Sequence, residues 1–248
     1  MPTVAITGKG GTGKTTFAAL LIKYLSTKSG TILAVDADPN SNLDARLGLH
    51  VEQTIGDLRE DLLTESLPSG IPKSELIEYQ IRLALVEGDM FDLIAMGRPE
   101  GPGCYCYINN VLRGVIDRLS DNYDYVVIDN EAGMEHLSRR TTRDVDVLFI
   151  MSDVTTLGIT TASRIKLLAK DLNLVIGKAF LVLNELKNSI PASIKGQIEQ
   201  QELDLIGAIP VDALIEEYAV QGKSLFELPD DSAAFRAVSE IAERSMVR

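Results

Sequence analysis

A glycine- and lysine-rich loop near the N-terminus carries the clearest chemical signal in the sequence. It reads Gly8-Lys9-Gly10-Gly11-Thr12-Gly13-Lys14-Thr15-Thr16 and meets the spacing G-x-x-x-x-G-K-[ST], between a predicted strand and a predicted helix. Its glycines let backbone N–H groups converge on phosphate oxygens, and the helix N-terminus adds the positive end of its dipole. We expect Lys14 to reach the β- and γ-phosphates and the Thr15 hydroxyl to bind Mg²⁺. The whole loop is therefore predicted to bind ATP or ADP.

The two cysteines of the chain, Cys104 and Cys106, form a C-x-C pair just before a predicted helix. Both thiols can bind one metal ion, and a helix N-terminus favours the thiolate. One pair provides two ligands, whereas tetrahedral Zn(II) or planar Ni(II) with sulfur takes about four. A two-fold dimer would supply the other two. Two buried thiols and a redox disulfide remain the alternatives.

Short β-rich runs alternate with longer helical patterns along the chain. Strand candidates are Val4–Thr7, Ile32–Asp36, Leu93–Met96, Tyr125–Asp129, Val147–Met151, Ala179–Asn184 and Leu205–Ile209. Helix candidates are Lys14–Thr27, Ile108–Ser120, Ile159–Leu172, Pro191–Gln201 and Ser232–Met246. This alternation predicts one doubly wound α/β domain over residues 1–248, with a mostly parallel sheet of seven to eight strands and helices on both faces, as in P-loop NTPases. Helical excursions are expected over Val51–Gly88, and a loop over Gly97–Gly103.

The overall composition excludes several classes of protein. The 248 residues include 24 Lys and Arg against 36 Asp and Glu, giving a formal charge of −12. A chain this acidic is a poor general nucleic-acid binder, because phosphate backbones require clustered positive charge. No apolar run reaches the roughly 18–20 residues that span a bilayer, and no secretion signal is recognisable. We expect a cytoplasmic protein without nucleic-acid or membrane partners.

A second lysine in the loop, Lys9, gives the run Lys-Gly-Gly-Thr-Gly-Lys-Thr. This run resembles the deviant Walker A motif of a group of ATPases that includes MinD/ParA proteins, nitrogenase iron protein and metal-chaperone ATPases. The resemblance implies a Mg²⁺-dependent ATPase that acts as a homodimer. Lys9 would then contact the nucleotide bound by the partner subunit, as a trans-acting cation.

The same resemblance assigns the remaining phosphate-end residues. Asp38, in the segment that this group calls switch I, matches the aspartate that orients or activates the attacking water and lies near Mg²⁺. The run 126–129 looks like Walker B, so that Asp129 would hold Mg²⁺ through water. Gly133, in the following switch II segment, is placed to donate its N–H to the γ-phosphate. Lys9, Lys14 and Asp38 are the predicted catalytic residues.

The sequence features that would bind the base of the nucleotide are less specific. Asn184 ends a predicted strand, and its amide can both donate to and accept from the edge of adenine. The run Ile209-Pro210-Val211-Asp212 lies where these ATPases pass backbone beside the purine, so Ile209, Pro210 and Asp212 are predicted to contact the nucleotide.

Two further segments indicate which subgroup of these ATPases the chain resembles. The run Gly-Pro-Gly-Cys-Tyr-Cys and the segment from Asp129 to Arg140 look like the CooC-type nickel-maturation ATPases of carbon monoxide dehydrogenase and their relatives serving acetyl-CoA synthase. The match extends through essentially the whole chain. It implies that ATP closes the dimer, that two C-x-C pairs hold one Ni(II) or Zn(II) at the interface, and that hydrolysis is tied to nickel delivery to one of these two client enzymes.

Two other functions of the same ATPase group stay open. A partitioning or septum-site ATPase would carry a basic DNA-facing patch or a C-terminal amphipathic membrane helix, whereas the C-terminal pattern here mixes positive and negative charges. An electron-transfer ATPase resembling nitrogenase iron protein would hold a [4Fe–4S] cluster across the dimer. That group takes its cysteines from two separate segments, while here both lie in one tripeptide.

Overall fold

The computed structural model describes residues 2–57, 82–98, 105–133, 144–172 and 174–246, without the side chains of 105–111, 144 and 246. Within these ranges the strands form one eight-stranded sheet in the order β3-β4-β2-β5-β1-β6-β7-β8. Neighbouring strands are parallel except for β3, which runs antiparallel to β4 at the edge. The strands are β1 (Thr3–Gly8), β2 (Ile32–Ala37), β3 (Leu85–Val86), β4 (Asp92–Ala95), β5 (Tyr125–Asn130), β6 (Asp144–Ser152), β7 (Val175–Leu186) and β8 (Leu205–Pro210).

Seven α-helices and two short 3₁₀ turns lie wholly within the described ranges, besides the helical residues 55–57 and 82–84 at the edges of those ranges. The helices are α1 (Lys14–Ser26), α2 (Leu43–Leu47), α3 (Tyr105–Leu119), α4 (Thr156–Asp171), α5 (Ala192–Gln200), α6 (Ala213–Gln221) and α7 (Ala233–Met246). The 3₁₀ turns are Ser120–Asn122 and Leu225–Glu227. None of the described helices is long and apolar enough to cross a membrane.

Two hydrophobic cores cover the two faces of the sheet, as expected for a doubly wound fold. Side chains alternate along β1, so Val4 and Ile6 enter one core while Ala5 enters the other. The first core includes residues from α1, α2 and α7, and the second includes residues from α3, α4 and α5. The predicted α/β class, the mostly parallel sheet and helices on both faces are confirmed.

Helix α1, which begins at the end of the phosphate loop, is fixed to the sheet by aromatic packing. Phe17 is fully buried and meets Phe149 of β6 edge to face, with ring centroids 5.1 Å apart. At the other end of α1, buried Lys23 donates to the Leu228 carbonyl and pairs with Asp230 at 3.1 Å. These contacts hold the start of α1, and hence the loop before it, in a fixed position.

Every predicted strand and helix is present, with boundaries that differ by up to four residues. Three elements have no counterpart in the prediction: β3 has two residues, α2 has five, and α6 contains no buried residue. The elements β3 and α2 are too short for an apolar period to mark them, whereas α6 has Leu214, Ile215 and Tyr218 at helical spacing against the first core, a signal that the sequence analysis missed. Within the predicted excursion, residues 55–57 and 82–84 are helical, but Leu85–Val86 pairs with β4, so the prediction that this segment lies away from the sheet is wrong there. Residues 58–81 of the excursion and 99–103 of the predicted loop lie outside the described residues.

Candidate functional site

The register of the parallel strands brings acidic groups together at one edge of the sheet. Asp129 of β5 lies opposite Ile6 of β1 on one side and Asp36 of β2 on the other. Both carboxyls are buried, each with 1% exposure. Strands β1, β2 and β5 end within two residues of this row, so the segments that follow them converge on the same place.

Internal hydrogen bonds shape the phosphate loop between β1 and α1. The Lys9 carbonyl accepts from Thr12 Oγ1 at 2.8 Å and from Lys14 Nζ at 3.4 Å. The Gly133 N–H donates to the Gly8 carbonyl at 3.1 Å, so the predicted switch II segment lies directly against the loop. In this conformation the Gly133 N–H is engaged by the protein, and its predicted contact with a γ-phosphate would replace that bond.

The contact between Asn184 and the loop explains why position 13 is glycine. Asn184 Nδ2 donates to the Thr12 carbonyl at 3.0 Å. Gly13 has a φ of +81°, and a Cβ there would lie 2.1 Å from Asn184 Nδ2. Only glycine allows this approach. Among the described residues, the structure shows no further partner for the second N–H or the Oδ1 of Asn184, and its contact with adenine stays a prediction.

A buried lysine and buried carboxyls oppose one another at the centre of the site. Burial lowers the pKa of the Lys14 amino group, and the neighbouring Asp129, Asp38 and Glu131 carboxylates act in the opposite direction. Burial raises the pKa of Asp129 to about 7, against a hydrogen bond from Thr15 and the charge of Lys14. The ionised form of Asp129 is therefore costly unless a cation balances it.

The donor atoms around Asp129 fit Mg²⁺. Asp129 Oδ1 is buried and lacks a hydrogen-bond partner within the described part of the chain. The Thr15 hydroxyl bonds to the same carboxyl, and Asp38 lies close enough to influence its pKa. Mg²⁺ prefers hard oxygen ligands of this kind and keeps several waters. Thr15, Asp38 and Asp129 are thus the residues that would hold Mg²⁺ and orient its waters.

Asp36 organises the segment that carries Asp38, a role that the sequence analysis did not identify. One carboxyl oxygen of Asp36 accepts from the Asp38 N–H at 3.1 Å, and the other accepts from the N–H groups of Asn42 and Leu43 at 2.8 and 2.9 Å. Burial raises the pKa of Asp36 to about 6 despite these bonds. The carboxyl thus ties both ends of the Asp38 segment to the sheet.

Lys9 lies at the surface of the loop and pairs with a residue of its own chain. Lys9 Nζ is 3.5 Å from Asp153 Oδ2, just after β6, with both side chains about two-fifths exposed. Thr155, which caps α4, donates to the other oxygen of Asp153. The sequence analysis missed Asp153 because no local pattern links it to a lysine 144 positions earlier.

Two adjoining cavities follow the loop. The phosphate cavity, about 550 Å³, is lined by loop residues Gly10–Thr16 except Thr12, by Asp38 and by Ala132. The base cavity, about 480 Å³, is lined by Asn184, by the predicted run Ile209–Asp212 and by Phe17 of α1. The two cavities share lining residues and therefore lie side by side along the loop. Their sizes suit a nucleotide.

Asp212 contributes to the base cavity chiefly as a structural anchor. Its Oδ1 accepts from the Leu214 N–H at 3.0 Å, capping α6, and its Oδ2 accepts from Ser232 Oγ at 2.6 Å and the Ala234 N–H at 3.0 Å. Burial acts to raise the pKa of Asp212, but these hydrogen bonds outweigh it and lower the pKa. The carboxyl thereby fixes the wall of the cavity to the start of α7.

The predicted metal-binding thiols cannot be placed by the side chains that the structure describes. Cys104 lies outside the described residues, and Cys106 is described only as a backbone position in the first turn of α3. Elsewhere in the described ranges, no cluster of three or more His, Cys, Asp or Glu could hold a metal ion. Helix α3 connects the parallel strands β4 and β5, so its N-terminus faces the edge where those strands end. That is the edge of the phosphate loop.

Comparison with known proteins defines the family. Residues 3–225 match the model of the CobQ/CobB/MinD/ParA nucleotide binding domain, and the chain belongs to this family. An uncharacterized ATP-binding protein of Methanocaldococcus jannaschii is 46% identical over 245 residues, covering 97% of both chains. Together with the fold and the loop, these matches make the chain a P-loop ATPase.

More distant relatives have stated functions. The carbon monoxide dehydrogenase accessory protein CooC of Rhodospirillum rubrum is 30% identical over 239 residues, covering 91% of this chain and 89% of CooC. The septum site-determining protein MinD of Synechocystis is 26% identical, covering 97% and 87%. The structure of Pyrococcus horikoshii MinD complexed with Mg-ADP has a TM-score of 0.71 at 22% identity, covering 98% of this chain and 95% of that one.

Measurements of nucleotide affinity and of kcat distinguish the role of Lys14 from that of Asp38. Lys14→Ala removes a cation from the phosphates, so ATP and ADP should bind at least about tenfold more weakly. Asp38→Ala should bind ATP nearly as well as the wild type, while kcat falls by about 10²-fold or more because the attacking water loses its acceptor. Exposed Lys195→Ala and Asp121→Ala are the controls. Wild-type hydrolysis by Lys14→Ala and Asp38→Ala would show that the site lies elsewhere.

The anchoring role of Asp212 can be measured as stability. Asp212→Asn replaces one of the two acceptor oxygens with an NH₂ group, so it cannot accept from Leu214 on one side and from Ser232 and Ala234 on the other, and it should lower the free energy of unfolding by about 1–2 kcal/mol at pH 7. Because the pKa of Asp212 is lowered in the folded state, this contribution exists above the unfolded pKa of about 3.9 and is lost as the pH falls through the folded value. Denaturant unfolding of the variant and of exposed Asp231→Asn at pH 7 and pH 3 measures both effects. Equal stability of the wild type, Asp212→Asn and Asp231→Asn at pH 7 would contradict the anchoring role of Asp212.

Proposed function

We propose that the chain is a nickel-maturation ATPase, which couples ATP binding and hydrolysis to delivery of Ni(II) to carbon monoxide dehydrogenase or acetyl-CoA synthase. The observation that carries the proposal is the C-x-C pair, whose Cys106 lies in the first turn of α3, in a chain that is 30% identical to CooC over most of its length. The metal is the cargo of this reaction, and ATP is its energy source.

The groups at the sheet edge would perform hydrolysis as follows. Lys14 binds the phosphate oxygens, and the N–H groups of the loop surround them. Asp38 accepts a hydrogen bond from the attacking water and directs it at the γ-phosphate. Thr15 and Asp129 would hold Mg²⁺, which neutralises charge on the phosphates when bound. Asp36 keeps the Asp38 segment in place through three backbone hydrogen bonds.

A homodimer would complete both functional sites. Lys9 is exposed and held by one ion pair to Asp153, so it could leave Asp153 and reach the nucleotide of a facing subunit at little cost. The N-terminus of α3 opens toward the same edge as the phosphate loop. Two subunits that meet through this edge would therefore bring their C-x-C pairs toward each other, providing the four sulfur ligands that Ni(II) or Zn(II) requires.

A positioning ATPase is the second candidate, supported by the similarity to MinD of Synechocystis over 97% of the chain. Positioning on a membrane or nucleoid requires an amphipathic helix or a basic face. Among the described helices, the C-terminal α7 directs Phe235, Val238 and Ile241 into the core, so these residues are not available to a lipid surface. The net charge of −12 disfavours a nucleoid surface. These features favour nickel delivery.

Metal binding by the purified protein is the first test of the proposed function. The purified dimer should bind one Ni(II) or Zn(II), with sulfur-to-metal charge-transfer absorption for Ni(II), and metal should promote dimer formation without ATP. Cys104→Ser and Cys106→Ser should lose the metal, because each removes two of four ligands per dimer. Affinity should fall at low pH, since protons compete for sulfur. Metal analysis with molecular mass, with and without ADP or ATP, measures these effects.

The controls distinguish the competing functions. Asn110→Ser changes the same helix without touching a thiol and should keep the metal. Full binding by the double Ser variant, or a tight complex of one metal with a monomer, would refute the assignment. A broad visible iron–sulfur band after anaerobic purification would support the electron-transfer ATPase instead. ATP-dependent binding to lipid vesicles or DNA by a protein without metal would support a positioning ATPase.

The second test concerns trans action by Lys9. Lys9→Gln should bind ATP but fail to hydrolyse it, and it should weaken nucleotide-dependent dimerisation. Mixing Lys9→Gln with Asp38→Ala subunits creates heterodimers in which one site has both its own Asp38 and the partner's intact lysine. Such mixtures should recover part of the ATPase activity that each variant lacks alone. Absence of recovery in verified heterodimers would count against trans action.

A further inference from the structure

The wall between the base cavity and the phosphate cavity contains a cation that the chemistry above does not use. Arg46 of α2 lines both cavities, and so do Gly13, Thr16, Glu185 and Ala219. These shared residues lie where the two cavities meet, between the space for the base and the loop that surrounds the terminal phosphates. A nucleotide that occupies both cavities would lie beside Arg46.

The guanidinium of Arg46 is available to a ligand. Within the described ranges it has no hydrogen-bond or ion-pair partner, and the Arg46 contact that the structure shows is made by its backbone carbonyl. Lys223, another cation of the phosphate cavity, lies instead over the Tyr218 ring, 5.4 Å from its centroid. A guanidinium offers five donors in a fixed planar fork, which suits two oxygens of one anionic group.

Helix α2 holds Arg46 in place. Leu43 and Leu47 are buried in the core that contains α1, and the Arg46 carbonyl accepts from Ser224 Oγ at 3.3 Å. The N–H of Leu43 also donates to Asp36. The backbone of Arg46 is therefore fixed before a ligand arrives, so that only its side chain has to be ordered on binding.

The chemistry of a nucleotide identifies the group that Arg46 meets. The middle of ATP consists of the ribose and the α-phosphate, and of these only the α-phosphate carries charge. We propose that Arg46 binds the α-phosphate of ATP and ADP in the same chain, as a cation additional to Lys14 and Lys9. This contact adds affinity at the part of the ligand that ATP, ADP and AMP share. The inference rests on the ATPase function and is independent of nickel delivery.

The experiment compares ADP binding by titration calorimetry with excess Mg²⁺. Arg46→Met should raise the Kd for ADP by about tenfold or more, the loss expected for a hydrogen-bonded charge pair. Arg46→Lys keeps the charge without the fork and should fall between Arg46→Met and the wild type. Arg164→Met removes the same charge from the exposed surface of α4 and should leave the Kd within about twofold, because exposed distant charges are screened. Thermal unfolding checks that each variant is folded. If Arg46→Met is unstable, the comparison of ADP affinity between Arg46→Lys and the wild type tests the proposal.

Phosphorus NMR of bound ADP identifies the phosphate. The α-phosphate resonance should differ between the wild type and Arg46→Lys, while the β-phosphate resonance stays the same. An ADP affinity for both Arg46 variants within twofold of the wild type would overturn the proposal, as would a difference confined to the β-phosphate. Failure of the wild type to bind ADP would overturn the ATPase function itself, and this inference with it. Metal content does not enter either measurement.

Discussion

The burial of one lysine beside three carboxyls is the interaction on which this site depends. Lys14 and Asp129 are both removed from water, and each alone would be costly to ionise there. Together with Asp36 and Asp38 they leave an excess of negative charge at the sheet edge. A divalent cation would offset this negative charge, while Lys14 and the N–H groups of the loop are the groups suited to the phosphates. The site therefore combines acidic groups that suit a metal ion with donors that suit a nucleotide.

The residues around this centre differ in how firmly they are held, and this difference matches their proposed roles. Asp36 fixes the Asp38 segment with three backbone hydrogen bonds from a buried position. Lys9 is held by a half-exposed ion pair, of a kind worth about 0–1 kcal/mol. Groups that must be in place before ATP arrives are thus anchored, while the group proposed to act on another subunit is lightly held. Lys9 could leave Asp153 and pair with a phosphate instead, and this movement would not disturb the sheet.

Strands with continuous apolar runs and helices with a clear period were predictable because their signals are local. The predicted strand 179–184 is the central part of β7, which has twelve residues because its pairing with β6 extends beyond the apolar centre. Helix α6 is bounded by an Asp212 cap and by Gly222, and its Leu214, Ile215 and Tyr218 pack against the first core, so local signals for it were present. Asp36 was visible in the sequence as part of Asp36-Ala37-Asp38, although nothing local showed that its carboxyl would turn back onto the backbone.

The sequence by itself determined the class of chemistry. The spacing of Gly8, Gly13, Lys14 and Thr15 between a strand and a helix predicts a phosphate-binding loop, because its glycines let backbone N–H groups converge on phosphate oxygens. It also placed two thiols at a helix start, and thereby raised the question of a shared metal. Only the tertiary structure decided which distant groups complete the site: Asp153 against Lys9, Asn184 against Thr12, and Arg46 between the two cavities. These contacts join segments that are far apart in the chain, and their distances follow from strand order and helix packing, which no local pattern specifies.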